Sequence, residues 1–153
     1  MQHRYDLTES APHIYRAMAA LEAQVRHAID PGLDHLVKIR ASQLNGCAFW
    51  IDMHTKDARI RGETEQRIYA LNAWRLSPLF TERERAALAL TDAVTFVTDG
   101  HVPEDIFDES AKHFDRSELA ALVWAIVAIN AWNRAAIASR SVPGSSTRAA
   151  PTG

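Results

Sequence analysis

The stretch Leu119 to Ile129 constrains the fold of this 153-residue chain more than any other feature. It reads Leu-Ala-Ala-Leu-Val-Trp-Ala-Ile-Val-Ala-Ile, so a helix made from it is apolar nearly all round. Such a helix has to be covered from several sides. The run is also well short of the roughly 20 apolar residues that a bilayer crossing needs. The expectation is a helix at the centre of a bundle, or one shared with a subunit interface. The remaining pattern agrees: apolar residues recur at helical spacing, strand alternation never persists, and the six glycines and six prolines stand mostly at joints. The predicted fold class is all-α, a bundle of about six or seven helices.

A first helix starts at Ser10 as its cap, tolerates Pro12 in its first turn, and carries the stripe Ile14, Met18, Leu21, Val25 and Ile29. Pro31-Gly32 ends it. A second runs from about Leu33 to Leu44, where Asn45-Gly46 breaks the chain, and a third from about Cys47 to Arg61. A fourth reaches from Thr64 to about Trp74. Thr81 with Glu84, and Asp115 with Glu118, have the form of capping boxes that open two more helices, with a short one after Pro103 between them. The expected organisation is an N-terminal arm over 1–9, one domain over 10–140, and a small, polar, disordered tail over 141–153.

Charge and cysteine content remove several classes of function. Seventeen Lys and Arg against nineteen Asp and Glu give a formal charge of −2. That balance argues against a nucleic-acid partner and gives no polybasic reason for membrane adhesion. A polar start with no secretory pattern leads to a cytoplasmic expectation. Cys47 is the only cysteine, so neither an internal disulfide nor a multi-thiolate zinc site can form. No cofactor or metal is called for.

The chemistry-bearing segment is Ser42-Gln-Leu-Asn-Gly-Cys-Ala-Phe-Trp-Ile-Asp-Met-His54. Cys47 follows the Asn-Gly break at the start of a helix, where unpaired N–H groups and the helix dipole favour a thiolate. The plainer reading of Cys47 is a small buried residue. His54 lies seven positions on, nearly on the same face but about 10 Å along the axis, too far for a direct hydrogen bond. The residue one turn from His54 is Trp50.

These residues resemble the alkylhydroperoxidase D (AhpD)-like family, within the carboxymuconolactone decarboxylase-like superfamily. Further resemblance lies in Leu36 to Cys47, Asp52 to Arg59, Phe80 to Leu88 and Ile129 to Arg134, covering about residues 10 to 140. The resemblance implies an AhpD-like helical bundle, assembled as a trimer or hexamer of identical chains. It also implies peroxiredoxin-type antioxidant activity on a small peroxide or thiol, with an external thiol reductant. The family motif Glu…Cys-x-x-Cys-x-x-x-His falls on His35, Cys47, Trp50 and His54. Cys47 and His54 match and are the catalytic candidates. His35 and Trp50 replace the family's carboxylate and second thiol.

Those replacements leave three readings. Cys47 could act alone, as a thiol oxidised to a sulfenic acid and reduced from outside. A carboxymuconolactone decarboxylase-like site could use His54, with His35 and Arg40, to bind a small carboxylate and move a proton. The chain could also be a non-catalytic oligomeric scaffold with its redox site repacked by Trp50. His35 is read first as an ordinary, partly exposed helix residue. Asn130 and Asn133 are amides in an apolar helix and need partners, either on another helix or in the site.

Overall fold

The computed structural model describes residues 2–145. The chain is all-helical, with no strand among the described residues. In order it forms α1 (Leu7–Ser10), α2 (Pro12–Ala28), α3 (Pro31–Leu44), α4 (Ala48–Ile60) and α5 (Glu65–Ala70). A 3₁₀ segment over Leu71–Leu76 leads on to α6 (Glu82–Thr95), α7 (Glu104–His113) and α8 (Arg116–Ser139). Eight α-helices replace the expected six or seven. The addition is α1, a single turn whose N–H groups at Thr8 and Glu9 are capped by Asp6. Ser10 therefore ends α1 and does not cap α2, whose N-cap is Ala11 with no side-chain hydrogen bond.

Two helices share the centre. α8 packs against α2, α3 and α6, as its apolar sequence requires, and α3 packs against α4, α6 and α8. Over its 24 residues α8 has the length and hydropathy of a membrane-crossing helix, yet it is the core helix of this bundle. Leu36, Val37, Ile39 and Ala41 of α3 and Leu122, Ala125, Ile126 and Ile129 of α8 are fully buried. Both predicted capping boxes form, at Thr81–Glu84 and Asp115–Glu118, and fix where α6 and α8 begin.

α2 behaves differently from its sequence stripe. Only Val25 of that helix is buried, and Ile14 is 59% exposed. α2 leans on α8 and leaves a cleft toward α3 and α4, with Trp132 of α8 in its lining. The N-terminal arm is tied to the end of α8: the Arg4 N–H donates to Ser139 O at 2.9 Å and its guanidinium to Ala138 O at 3.1 Å. Of the tail expected to be disordered, Gly144 donates its N–H to Asp52 Oδ2 at 2.9 Å. Residues 146–153 lie outside the described residues.

Candidate functional site

The turn that carries Cys47 is clamped on both sides. Asn45 caps the C-terminus of α3, and Gly46 adopts φ +65°, a backbone conformation open to glycine at little cost. Cys47 then becomes the N-cap of α4, one residue before the helix and not inside its first turn. Its N–H donates to Ser42 O at 2.9 Å. From α8, Asn130 Oδ1 accepts from Asn45 Nδ2 at 2.9 Å, and Asn133 Nδ2 donates to Ser42 Oγ at 3.1 Å. Asn130 Nδ2 also donates to Thr95 Oγ1 at 3.0 Å. Both amides of α8 thus hold the α3–α4 turn to neighbouring helices.

The sulfur at that turn is sealed. Cys47 is 2% exposed and lines neither of the two cavities that flank Trp132. Burial pushes its thiol pKa up, while the N–H groups of Trp50 and Phe49 pull more weakly downward. No side-chain hydrogen bond caps α4. The expected lowering of the pKa is thereby reversed: losing water costs a thiolate more here than the helix start returns.

Trp50 occupies the place of the motif's second thiol. Its ring stacks on His54 with centroids 5.2 Å apart and planes at 21°, the one-turn contact that the spacing predicts. Its Nε1 donates to Trp132 O at 3.0 Å, which locks the indole to α8. His54 is 2% exposed. The His35 ring lies 6.3 Å from the His54 ring, so α3 and α4 bring these two histidines together.

Arg40 goes elsewhere. Its Nε and a terminal nitrogen donate to the two oxygens of Asp92 at 2.7 and 3.1 Å, and its other terminal nitrogen faces Asn72. That fork is spent on joining α3 to α6, and Arg40 lines neither cavity. Asn130 lines neither of them either; its amide is spent on the turn. Among the described residues no group of three or more His, Cys, Asp or Glu is placed to hold a metal ion.

The larger cavity is the cleft between α2, α3 and α4, about 930 Å³. His35 lines it, half-buried, with its Nδ1 buried and without a hydrogen-bond partner in the protein. Burial holds the His35 pKa below its usual value; Asp34 and Asp57 oppose that, and Lys38 and Arg61 add to it. The ring is therefore neutral near pH 7.

Lys38, Glu22 and Arg26, close to His35, carry no mark of their own in the sequence, and Asp34, about 100° round the helix from His35, reads there as a poor substitute for the family's carboxylate. Lys38 is 1% exposed and donates to Asp34 Oδ2 at 2.6 Å and to Glu22 Oε1. Arg26 Nε reaches the same Glu22 oxygen at 3.1 Å. The signal available was an Asp–Lys pair four apart on a helix that the bundle has to bury. The partner on α2 carried no such mark.

With this geometry in hand, the family can be fixed. The sequence model of the carboxymuconolactone decarboxylase family matches residues 12–93. The chain belongs to that family. The uncharacterized protein YdfG of Bacillus subtilis is 42% identical over 139 residues, spanning 90% of this chain and 95% of the relative. Among solved structures, ATU0492 from Agrobacterium tumefaciens matches with a TM-score of 0.92 and 40% identity. That match covers 95% of this chain and all of the other, a protein of unknown function whose name connects it to antioxidant defence protein AhpD. The debrominase Bmp8 is 21% identical with a TM-score of 0.81 over 90% of this chain and 75% of its own, a likeness of fold alone. The carboxymuconolactone decarboxylase scaffold thus holds a one-cysteine version of the motif, beside a cleft lined by a neutral histidine.

Proposed function

We propose that this family member acts on a small molecule in the cleft between α2, α3 and α4, with His35 exchanging the proton. The two-sulfur redox cycle is not used in this reading. The observation that carries it is the His35 imidazole, which lines the cleft, is held neutral by burial, and has an unpartnered ring nitrogen. A neutral imidazole is the form a general base takes at pH 7. His54, stacked on Trp50, lies behind that ring with the two imidazole centroids 6.3 Å apart. The reaction class is proton transfer at a carbon acid, consistent with the family's name. The carboxylate version of this reading loses its anchor, because Arg40 is committed to Asp92.

The test follows solvent deuterium into a panel of small lactones, oxo acids and amino ketones by proton NMR in D₂O. At least one class should exchange, and His35→Gln should abolish that exchange while leaving the fold intact by circular dichroism. Exchange that is equal in wild type and His35→Gln, or absent throughout the panel, overturns the reading.

A one-thiol oxidoreductase is the second reading. It is favoured by the two N–H groups that pull on the sulfur and by the name of the Agrobacterium relative. Here the Cys47 thiolate attacks the terminal peroxide oxygen, the O–O bond breaks, and an alcohol or water leaves with the proton. The sulfenic acid is then reduced by two external thiols, which end as a disulfide. Its mark is catalytic peroxide loss in the presence of a small thiol, abolished in Cys47→Ser. Either reading keeps a homo-oligomer, trimer or hexamer. Trp124 and Val127, three apart on α8 and 55% and 41% exposed, supply an apolar face for it.

A further inference from the structure

The wall of the cleft has more hydrogen-bond acceptors than the protein supplies donors for. Lys38 and Arg26 converge on one oxygen of Glu22, and Lys38 also takes one oxygen of Asp34. The second oxygen of each carboxylate, Glu22 Oε2 and Asp34 Oδ1, is buried without a hydrogen-bond partner in the protein. The Asp34 side chain is only 6% exposed. His35 Nδ1 is a third buried polar atom without a partner, a donor or an acceptor according to the ring's tautomer. Glu22, Asp34 and His35 all line the cleft. Leaving such atoms unmatched destabilises the fold, and more so when they are charged. Donors arriving on a ligand remove that cost.

The rest of the lining narrows the ligand. Tyr15 and Trp132 line the same cleft and meet edge to face, their centroids 5.2 Å apart. An aromatic wall of this kind accepts a flat body and attracts a cation. Trp132 Nε1 is a buried donor without a partner, suited to an oxygen on that body. Of the carboxylates in the lining, Glu22 is shared by Arg26 and Lys38 and Asp34 is paired with Lys38, each through one oxygen only.

We propose that the cleft binds a small primary amine with a flat, oxygen-bearing body, the ammonium meeting Glu22 and Asp34 and the body lying along Tyr15 and Trp132. The proposal rests on the reading of this cleft as the small-molecule site and names its ligand class. It does not depend on His35 doing chemistry.

Three isosteric probes test it by titration calorimetry: tyramine, its alcohol analogue tyrosol, and 4-hydroxyphenylacetate. Tyramine should bind saturably, at least tenfold tighter than tyrosol, with no measurable binding of the carboxylate. Glu22→Gln should weaken tyramine at least fivefold. Ala23→Trp, which fills the cleft from an exposed position on α2, should abolish binding without lowering Tm. His35→Gln should leave most of the tyramine affinity while removing deuterium exchange, which separates binding from catalysis. Preference for the carboxylate, equal affinity for all three, no binding of any, or tyramine binding that survives Ala23→Trp would each overturn the amine assignment. The first of these would leave the proton-transfer reading standing.

Discussion

Two corners of this protein are finished in opposite ways. At the α3–α4 turn, Cys47 and Trp50 are closed in: the cysteine is buried, the indole N–H has its acceptor, and two amides from α8 hold the side chains of Asn45 and Ser42. Along the cleft, Lys38 and Asp34 are about as deep and Glu22 is partly buried, yet their ionic groups are only partly matched. Burial alone does not mark a functional site. Burial with matched polar groups makes a joint, and burial with unmatched ones beside a cavity makes a place for a ligand.

The sharpest way to break that comparison is Lys38→Ala. It takes from Asp34 its cationic partner and leaves Glu22 with Arg26 alone, and urea unfolding should show a loss of about 3–5 kcal/mol, the usual cost of removing one partner from a buried ion pair. Neutralising the whole set as Glu22→Gln, Asp34→Asn and Lys38→Met should recover most of that loss. A single Lys38→Ala costing under about 1 kcal/mol would mean that the network is not buried in solution.

Next comes Trp50→Ala. Removing a half-buried indole should cost about 2–3 kcal/mol. It should also raise the rate at which iodoacetamide labels native Cys47 at least tenfold, measured by mass spectrometry at fixed pH. In the intact protein that labelling should keep accelerating past pH 9, because the folded thiol holds its proton above the ordinary range.

The pH response separates the corners further. Burial lowers the His35 pKa below the unfolded value of about 6.5, so as pH falls the folded chain takes up fewer protons than the unfolded chain. The stability that His35 contributes is complete above that value and is lost as pH drops through the folded pKa. Thermal unfolding from pH 7 to pH 5 should show a decline that is shallower in His35→Gln. Cys47→Ala has the smallest expected effect, about 1 kcal/mol, with no change in proton-transfer activity.

How much of this could be read in the sequence depended on the range of the interaction. α8 as a core helix, the capping boxes at Thr81 and Asp115, and the Trp50–His54 contact are all set within one or a few turns, and all three appear. Asp6 capping a single turn was passed over because so short a helix carries no periodicity. The open face of α2 was hidden for the reverse reason. Its apolar spacing is regular, but only the packing decides that Ile14 stays in water and that the other side becomes a cleft. The thiol pKa was misjudged because the helix start is local, whereas the desolvation that outweighs it comes from the assembled core. Glu22 meets Lys38 across sixteen residues and a helix break, a contact no spacing rule encodes.

The central claim is that the lone sulfur is out of play and that the chemistry belongs to the cleft. Intact mass after a stoichiometric dose of hydrogen peroxide tests it most directly, comparing the native chain with Trp50→Cys. The account predicts an unchanged mass and no catalytic peroxide loss for the native chain, and the loss of two hydrogens to a new disulfide in the variant. A native chain that gains one oxygen at Cys47 and turns peroxide over with a small thiol would contradict it.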